Sequence, residues 1–103
     1  MLDKATALKT AEQYAETVKK ALSPAAVVFF GSYQNGNPHE DSDIDVGVVF
    51  DGFTGDRHET SAYLWKLRRG VSLDIEPHLL DIQNDDSGFA RFVYNTGQII
   101  YHA

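Results

Sequence analysis

Residues 26–50 read AVVFFGSYQNGNPHEDSDIDVGVVF, and the two ends of this stretch have different patterns. Ala26 to Phe30 is an unbroken apolar run rich in β-branched and aromatic types, which predicts a short strand covered on both faces. It ends abruptly at Gly31-Ser32. At the other end Ile44, Val46, Val48 and Phe50 alternate with Asp43, Asp45, Gly47 and Val49. That period of two predicts a strand with one face in the core and two carboxylates on the other. Between them YQNGNPHEDS, residues 33–42, is polar and punctuated by Gly36 and Pro38. It reads as a loop, with room for one helical turn after Ser32.

Upstream, over residues 3–22, Leu8, Ala11, Ala15, Val18 and Leu22 recur at the spacing of one helical stripe, and Ser23-Pro24 stops the helix. Downstream, Asp51 to Asp56 reads as a turn. Arg57 to Arg69 follows as a helix closed by Gly70, with Tyr63, Leu64 and Leu67 expected on its inner side. Val71 to Leu80 resembles a third strand with Val71, Leu73 and Ile75 on one face and Ser72, Asp74 and Glu76 on the other. Pro77 should end its pairing or place it at an edge. Asp85 or Asp86 is expected to cap a last helix that packs Phe89, Phe92 and Val93. Gly97 ends that helix before a short strand at Ile99 to Tyr101. The order α-β-β-α-β-α-β, without repeats or linkers, predicts one α/β (α+β) domain over residues 1–103.

The composition narrows the function classes. Apolar residues make up 43% and charged residues 23%, a globular rather than disordered balance. With no cysteine, a metal would have to be held by oxygen or imidazole. No basic stretch leads into an apolar run at Met1 to Thr10, and no apolar segment is long enough to span a bilayer, so a cytoplasmic protein without a membrane partner is expected. A net charge of −6 disfavours nucleic acid as the main partner. The basic residues at Lys19-Lys20 and at Lys66, Arg68 and Arg69 read as solvated helix faces or as phosphate or protein contacts.

Asp43 and Asp45 carry the clearest chemical signal. Two residues apart on a strand, they project side by side at about 6.6 Å of backbone rise, a spacing that can serve paired divalent cations. Phosphoryl transfer asks for little beyond positioned cations and donors, because charge develops on phosphate oxygens. A third acid from a neighbouring strand would complete such a site. Asp74 is the first choice and Glu76, on the same face, its rival. Gly31 allows the backbone to come close to a phosphate, and Ser32 offers a hydroxyl and the start of a helix.

Other readings of these residues fail. Gly31 to Gly36 has the glycine spacing of a P-loop, but Asn37-Pro38 stands where Lys and Ser or Thr are required. Asp41, Asp43 and Asp45 mimic the opening of an EF-hand, yet Val46 and Gly52 occupy its Gly and Glu positions. The histidines, His39, His58, His78 and His102, are scattered and read as surface or packing residues, with His39 placed to approach a phosphate. Tyr63 and Trp65 read as core or partner-facing.

Gly31-Ser32, ten residues, Asp43-Ile44-Asp45 and later Leu73-Asp74-Ile75 together resemble the signature of the DNA polymerase beta-like nucleotidyltransferase superfamily, in particular its minimal branch. The resemblance covers residues 26–76. It implies a mixed β-sheet of three to four strands flanked by helices, two Mg²⁺ ions on Asp43, Asp45 and Asp74, and a nucleoside triphosphate, ATP above all, anchored at Gly31 and Ser32. It also implies a HEPN-domain toxin as partner, with the chain as an antitoxin that transfers AMP to a tyrosine of that partner, or that neutralises it by binding alone. Members often carry Arg or Lys after the Gly-Ser pair, where this chain has Tyr33, Gln34 and Asn35. A homo-oligomer is compatible with the sequence.

Overall fold

The computed structural model describes residues 3–36 and 43–103, so His39 and most of the loop expected before Asp43 lie outside the described residues. Helix α1 (Lys4–Ala21) starts where the Asp3 carboxylate accepts from the Thr6 N–H at 2.7 Å. Strand β1 (Ala26–Phe30), the single turn α2 (Ser32–Asn35) and strand β2 (Ile44–Phe50) follow. Helix α3 (Arg57–Leu67) is capped by Asp56 and runs into a 3₁₀ turn over Arg68–Gly70. Strand β3 (Ile75–Asp81), helix α4 (Phe89–Thr96) and strand β4 (Gln98–His102) complete the chain.

The four strands form one sheet in the order β3-β2-β1-β4. β1 is antiparallel to β2 and β4, whereas β2 and β3 are parallel, so the sheet is mixed. The period of two in residues 44–50 sorts its side chains as expected. Ile44, Val46, Val48 and Phe50 join Val27, Phe29, Ile75 and Leu79 under α1 and α3. On the opposite face Val49 joins Ala26, Val28 and Leu80 under Ala90 and Val93 of α4. Among the described residues two helices cover the first face, and the eight residues of α4 cover the second. The end of the second face that carries Asp45 is left uncovered by the described helices, and the Asp45 side chain is partly exposed.

Tyr14 is absent from the expected stripe of α1, yet it is fully buried. Its hydroxyl donates to the Leu64 carbonyl at 2.6 Å and so ties α1 to α3. Burial holds its pKa far above the usual tyrosine value. On α3 only Leu64 is buried; Leu67 packs partly, and Tyr63 is exposed, contrary to the expected inner position. In α4 the stripe is Ala90 and Val93, while Phe89 and Phe92 remain exposed. Asp85 caps this helix as expected, accepting from the N–H groups of Ala90 and Arg91 at 2.9 and 3.0 Å.

The third strand starts four residues later than its pattern predicts. The N–H groups of Val71 and Ser72 both turn back to the Arg68 carbonyl, and the Asp74 N–H bonds the Ser72 hydroxyl, so these donors are used inside a turn. The Arg68 guanidinium then donates to the Leu73 and Ile75 carbonyls and stacks 4.5 Å from the Trp65 ring. Leu73 is exposed as a result. Arg68 is thus a clasp on this turn rather than a solvated charge. β3 is an edge strand, the placement Pro77 requires.

At the far end of β3 the buried Asp81 carboxylate accepts from the N–H groups of Gly52, Phe53 and Gln83 at 2.9–3.0 Å. Burial alone would raise its pKa, but these three donors and the Arg57 charge together hold it below the usual value of 3.8. A depressed folded pKa contributes stability that is present above the unfolded value and lost as pH falls through the folded one. Asp81→Ala is therefore expected to cost about 2 kcal/mol at neutral pH. Urea midpoints should show that cost shrinking below about pH 4; a cost that does not change with pH would rule out the carboxylate as its source.

Candidate functional site

The site lies where β1 ends and β2 and β3 begin. Antiparallel pairing sets Phe30 opposite Asp45, and parallel pairing sets Asp45 beside Glu76 and Gly47 beside His78. Asp45, Glu76 and His78 therefore share the sheet face that α4 only partly covers. His78 Nε2 lies 3.1 Å from Asp45 Oδ1 and 3.9 Å from Glu76 Oε1, and one donor atom from each of the three residues falls within 4.8 Å of the others. Their side chains are 22%, 38% and 27% exposed for Asp45, Glu76 and His78, so the group is accessible to a solute from one side. The His78 ring meets Phe30 and Phe89 edge-on, with centroids 5.1 and 6.3 Å away.

Gly31 closes the other side. Its φ of 84° and ψ of −156° belong to a region used almost only by glycine. A Cβ at this position would overlap the Asp45 carboxylate, so the Gly-Ser turn and the acidic group are in van der Waals contact. Ser32 then opens α2, whose first turn closes through the Asn35 N–H to the Gly31 carbonyl at 2.9 Å. A groove of about 550 Å³ runs from His78 past Phe89 along the outer side of β3.

The sequence-predicted acids do not all gather here. Asp45 does. Asp43 stands exposed just before β2 and shares a side-chain hydrogen bond with Glu76. Asp74 is exposed in the turn before β3; its carbonyl accepts from the Ile44 N–H at 2.8 Å, but its carboxylate is outside the donor group around Asp45. Because the strand begins at Ile75, Glu76 rather than Asp74 sits level with Asp45. Burial first, then the Asp43 hydrogen bond and the Asp45 charge, hold the Glu76 carboxyl above the usual range, with His78 opposing. A group of this kind, with crowded carboxyls and an imidazole, is relieved by a divalent cation.

His78 stands in this group and not among the scattered surface or packing histidines that the sequence pattern predicts. The signal for it was its spacing: Glu76-x-His78 repeats, on the neighbouring strand, the alternation of Asp43-x-Asp45. His102 binds the Tyr94 hydroxyl at 3.1 Å on the surface, away from this group.

Comparison with known proteins agrees with this architecture. The family model described as polymerase beta, nucleotidyltransferase matches residues 12–103. No curated protein matches the chain. Among solved structures, the chain is similar to a candidate nucleotidyltransferase from Sulfolobus solfataricus, with 26% identity, a TM-score of 0.63 and coverage of 81% of this chain and 74% of the other. It shares its fold with a chain of a toxin–antitoxin crystal structure containing AMP-PNP, at 24% identity and a TM-score of 0.66, covering 89% of this chain and 73% of that one. No helix among the described residues is long and apolar enough to cross a membrane. Because the family match runs from within α1 through β4 and so takes in the whole sheet and its acidic end, the chain belongs to the polymerase beta family of nucleotidyltransferases.

Proposed function

We propose that this protein transfers AMP from ATP to a tyrosine of a HEPN-type toxin, the phenolic oxygen bonding the α-phosphorus as pyrophosphate leaves and the phenolic proton passes to solvent, with divalent cations held by Asp43, Asp45 and Glu76, and so acts as an antitoxin. One observation carries this reading: the Asp45 carboxylate lies directly against Gly31, so the cation group and the turn suited to phosphates are contiguous. Asp45 and Glu76 belong to one close donor group and Asp43 shares a hydrogen bond with Glu76, and carboxylates together with substrate phosphates are the usual ligands of Mg²⁺. When bound, such ions neutralise charge that develops on the transferred phosphoryl group. Gly31 brings the backbone close to the triphosphate, and the Ser32 hydroxyl donates to a phosphate oxygen. Asp74, exposed on its turn, has no part in this scheme.

The likeness to a toxin–antitoxin structure with AMP-PNP supports both the nucleotide class and the kind of partner. A chain carrying −6 net charge suits a basic partner, and the groove beside His78 offers room for an acceptor segment. The test is incubation with α-labelled ATP, Mg²⁺ and the HEPN protein, followed by mapping of the label. AMP on a tyrosine is expected. Neutralisation of the toxin without labelling would overturn the enzymatic reading in favour of inhibition by binding.

Ser32→Ala is expected to raise the KM for ATP roughly tenfold, the equivalent of about 1.5 kcal/mol for one hydrogen bond to a charged oxygen, with a smaller effect on kcat. Steady-state kinetics at varied ATP would check this. An unchanged KM would remove Ser32 from the phosphate site.

A further inference from the structure

We infer that His78 is itself a metal ligand of this site, through Nε2, and that the Asp45–Glu76–His78 group takes Mn²⁺ in preference to Mg²⁺. The inference rests on the proposed reading of the site as one that binds a divalent cation, and adds a residue and a metal preference to it.

The geometry singles out His78. Its Nε2, not merely its ring, is the atom within 3.1 Å of Asp45 Oδ1 and 3.9 Å of Glu76 Oε1. The strand register produces this arrangement: Glu76 and His78 alternate onto one face, and the neighbour beside His78 on β2 is Gly47, which puts no side chain between the ring and Asp45. A Cβ at Gly47 would lie 3.0 Å from Leu80, 3.2 Å from Val93 and 3.6 Å from Phe30, so little room is left there for a side chain. Phe30 and Phe89 meet the ring edge-on, limiting its rotation and directing Nε2 toward the carboxylates.

The chemistry of the donors then sets the preference. Mg²⁺ demands oxygen ligands in near-ideal octahedral geometry and keeps much of its water. Imidazole suits later first-row metals, and among the ions that also accept carboxylate and phosphate oxygen Mn²⁺ tolerates such a mixed set. Coordination uses the Nε2 lone pair, so the proton of the bound imidazole resides on Nδ1.

The alternative is that His78 only orients Asp45 through a hydrogen bond. His78→Gln separates the two, because the glutamine amide can still donate to Asp45 but brings no imidazole nitrogen. The experiment titrates MnCl₂ and MgCl₂ separately into the protein with AMP-PNP present, by calorimetry, and records pulsed EPR of bound Mn²⁺. The wild-type protein is expected to bind Mn²⁺ about tenfold more tightly than Mg²⁺ and to show ¹⁴N coupling to the metal. His78→Gln, with an unchanged circular dichroism spectrum and melting curve, should lose about tenfold in Mn²⁺ affinity and the ¹⁴N coupling, while its Mg²⁺ affinity stays within about twofold. Bound Mn²⁺ without ¹⁴N coupling in the wild-type protein, or equal losses for both metals in the variant, would overturn this inference and leave the cation site standing. Failure of either cation to bind the wild-type protein would instead sink the underlying reading, and this one with it.

Discussion

Asp45→Asn is expected to lower nucleotidyl transfer by about 10³-fold, or about 4 kcal/mol of transition-state stabilisation, while leaving the melting temperature unchanged or slightly raised. Asparagine keeps the shape of the side chain and can still hydrogen-bond His78, so the fold loses nothing that holds it together. What disappears is the anionic charge at the centre of the group, between Gly31 on one side and Glu76 and His78 on the other. Removing one carboxyl from a crowded set also relieves repulsion, hence the predicted stability. Two companion variants locate the third acid. Glu76→Gln should fall about as far as Asp45→Asn, whereas Asp74→Asn should stay within about twofold of wild type, because Asp74 is exposed on a turn outside the donor group. Equal losses for Glu76→Gln and Asp74→Asn in the labelling assay would mean that the turn reorganises when substrate binds. Full activity of Asp45→Asn would sink the proposed chemistry.

The second large effect belongs to a residue without a side chain. Gly31→Ala is expected to destabilise the protein by about 3 kcal/mol and to lower transfer at least about 100-fold, for two independent reasons. Its backbone conformation is one that residues with a Cβ rarely adopt, and the new methyl group would occupy the space of the Asp45 carboxylate. Either the turn must move away from the strand ends or Asp45 must swing away from Glu76 and His78. Gly36→Ala is the control. It also has a positive φ, 79°, but a Cβ there meets nothing within 4 Å among the described residues. It should cost about 1 kcal/mol and leave transfer unchanged. Similar losses for the two variants, in urea unfolding and in the labelling assay, would show that backbone strain alone accounts for the effect and that contact with Asp45 does not matter.

Much of this candidate site is legible in the sequence. Gly31-Ser32, the ten-residue spacing and Asp43-Ile44-Asp45 pointed to the end of the sheet where the donors gather. The alternation in residues 44–50 correctly divided the two faces of β2. The third acid was less clear. Asp74 and Glu76 have the same parity in the sequence, and parity says which face a residue takes but not how far along the sheet it lies. His78 was hidden for the same reason, being the next residue of that parity.

Local pattern by itself determined the helices, the buried first strand, the two-faced second strand and the identity of the Gly-Ser turn, because these follow from spacing, β-branching and the conformational range of glycine and proline over a few residues. Only the tertiary structure decided that Glu76 and His78 flank Asp45, that Tyr14 bridges two helices and that Arg68 clasps the turn before β3. The first two depend on groups that meet across 31 and 50 residues of chain, whereas the Arg68 clasp closes over only five to seven residues once the start of β3 at Ile75 is fixed. Hydrogen-bond register between distant strands is set by the packing of the whole sheet, and no short window of sequence contains it.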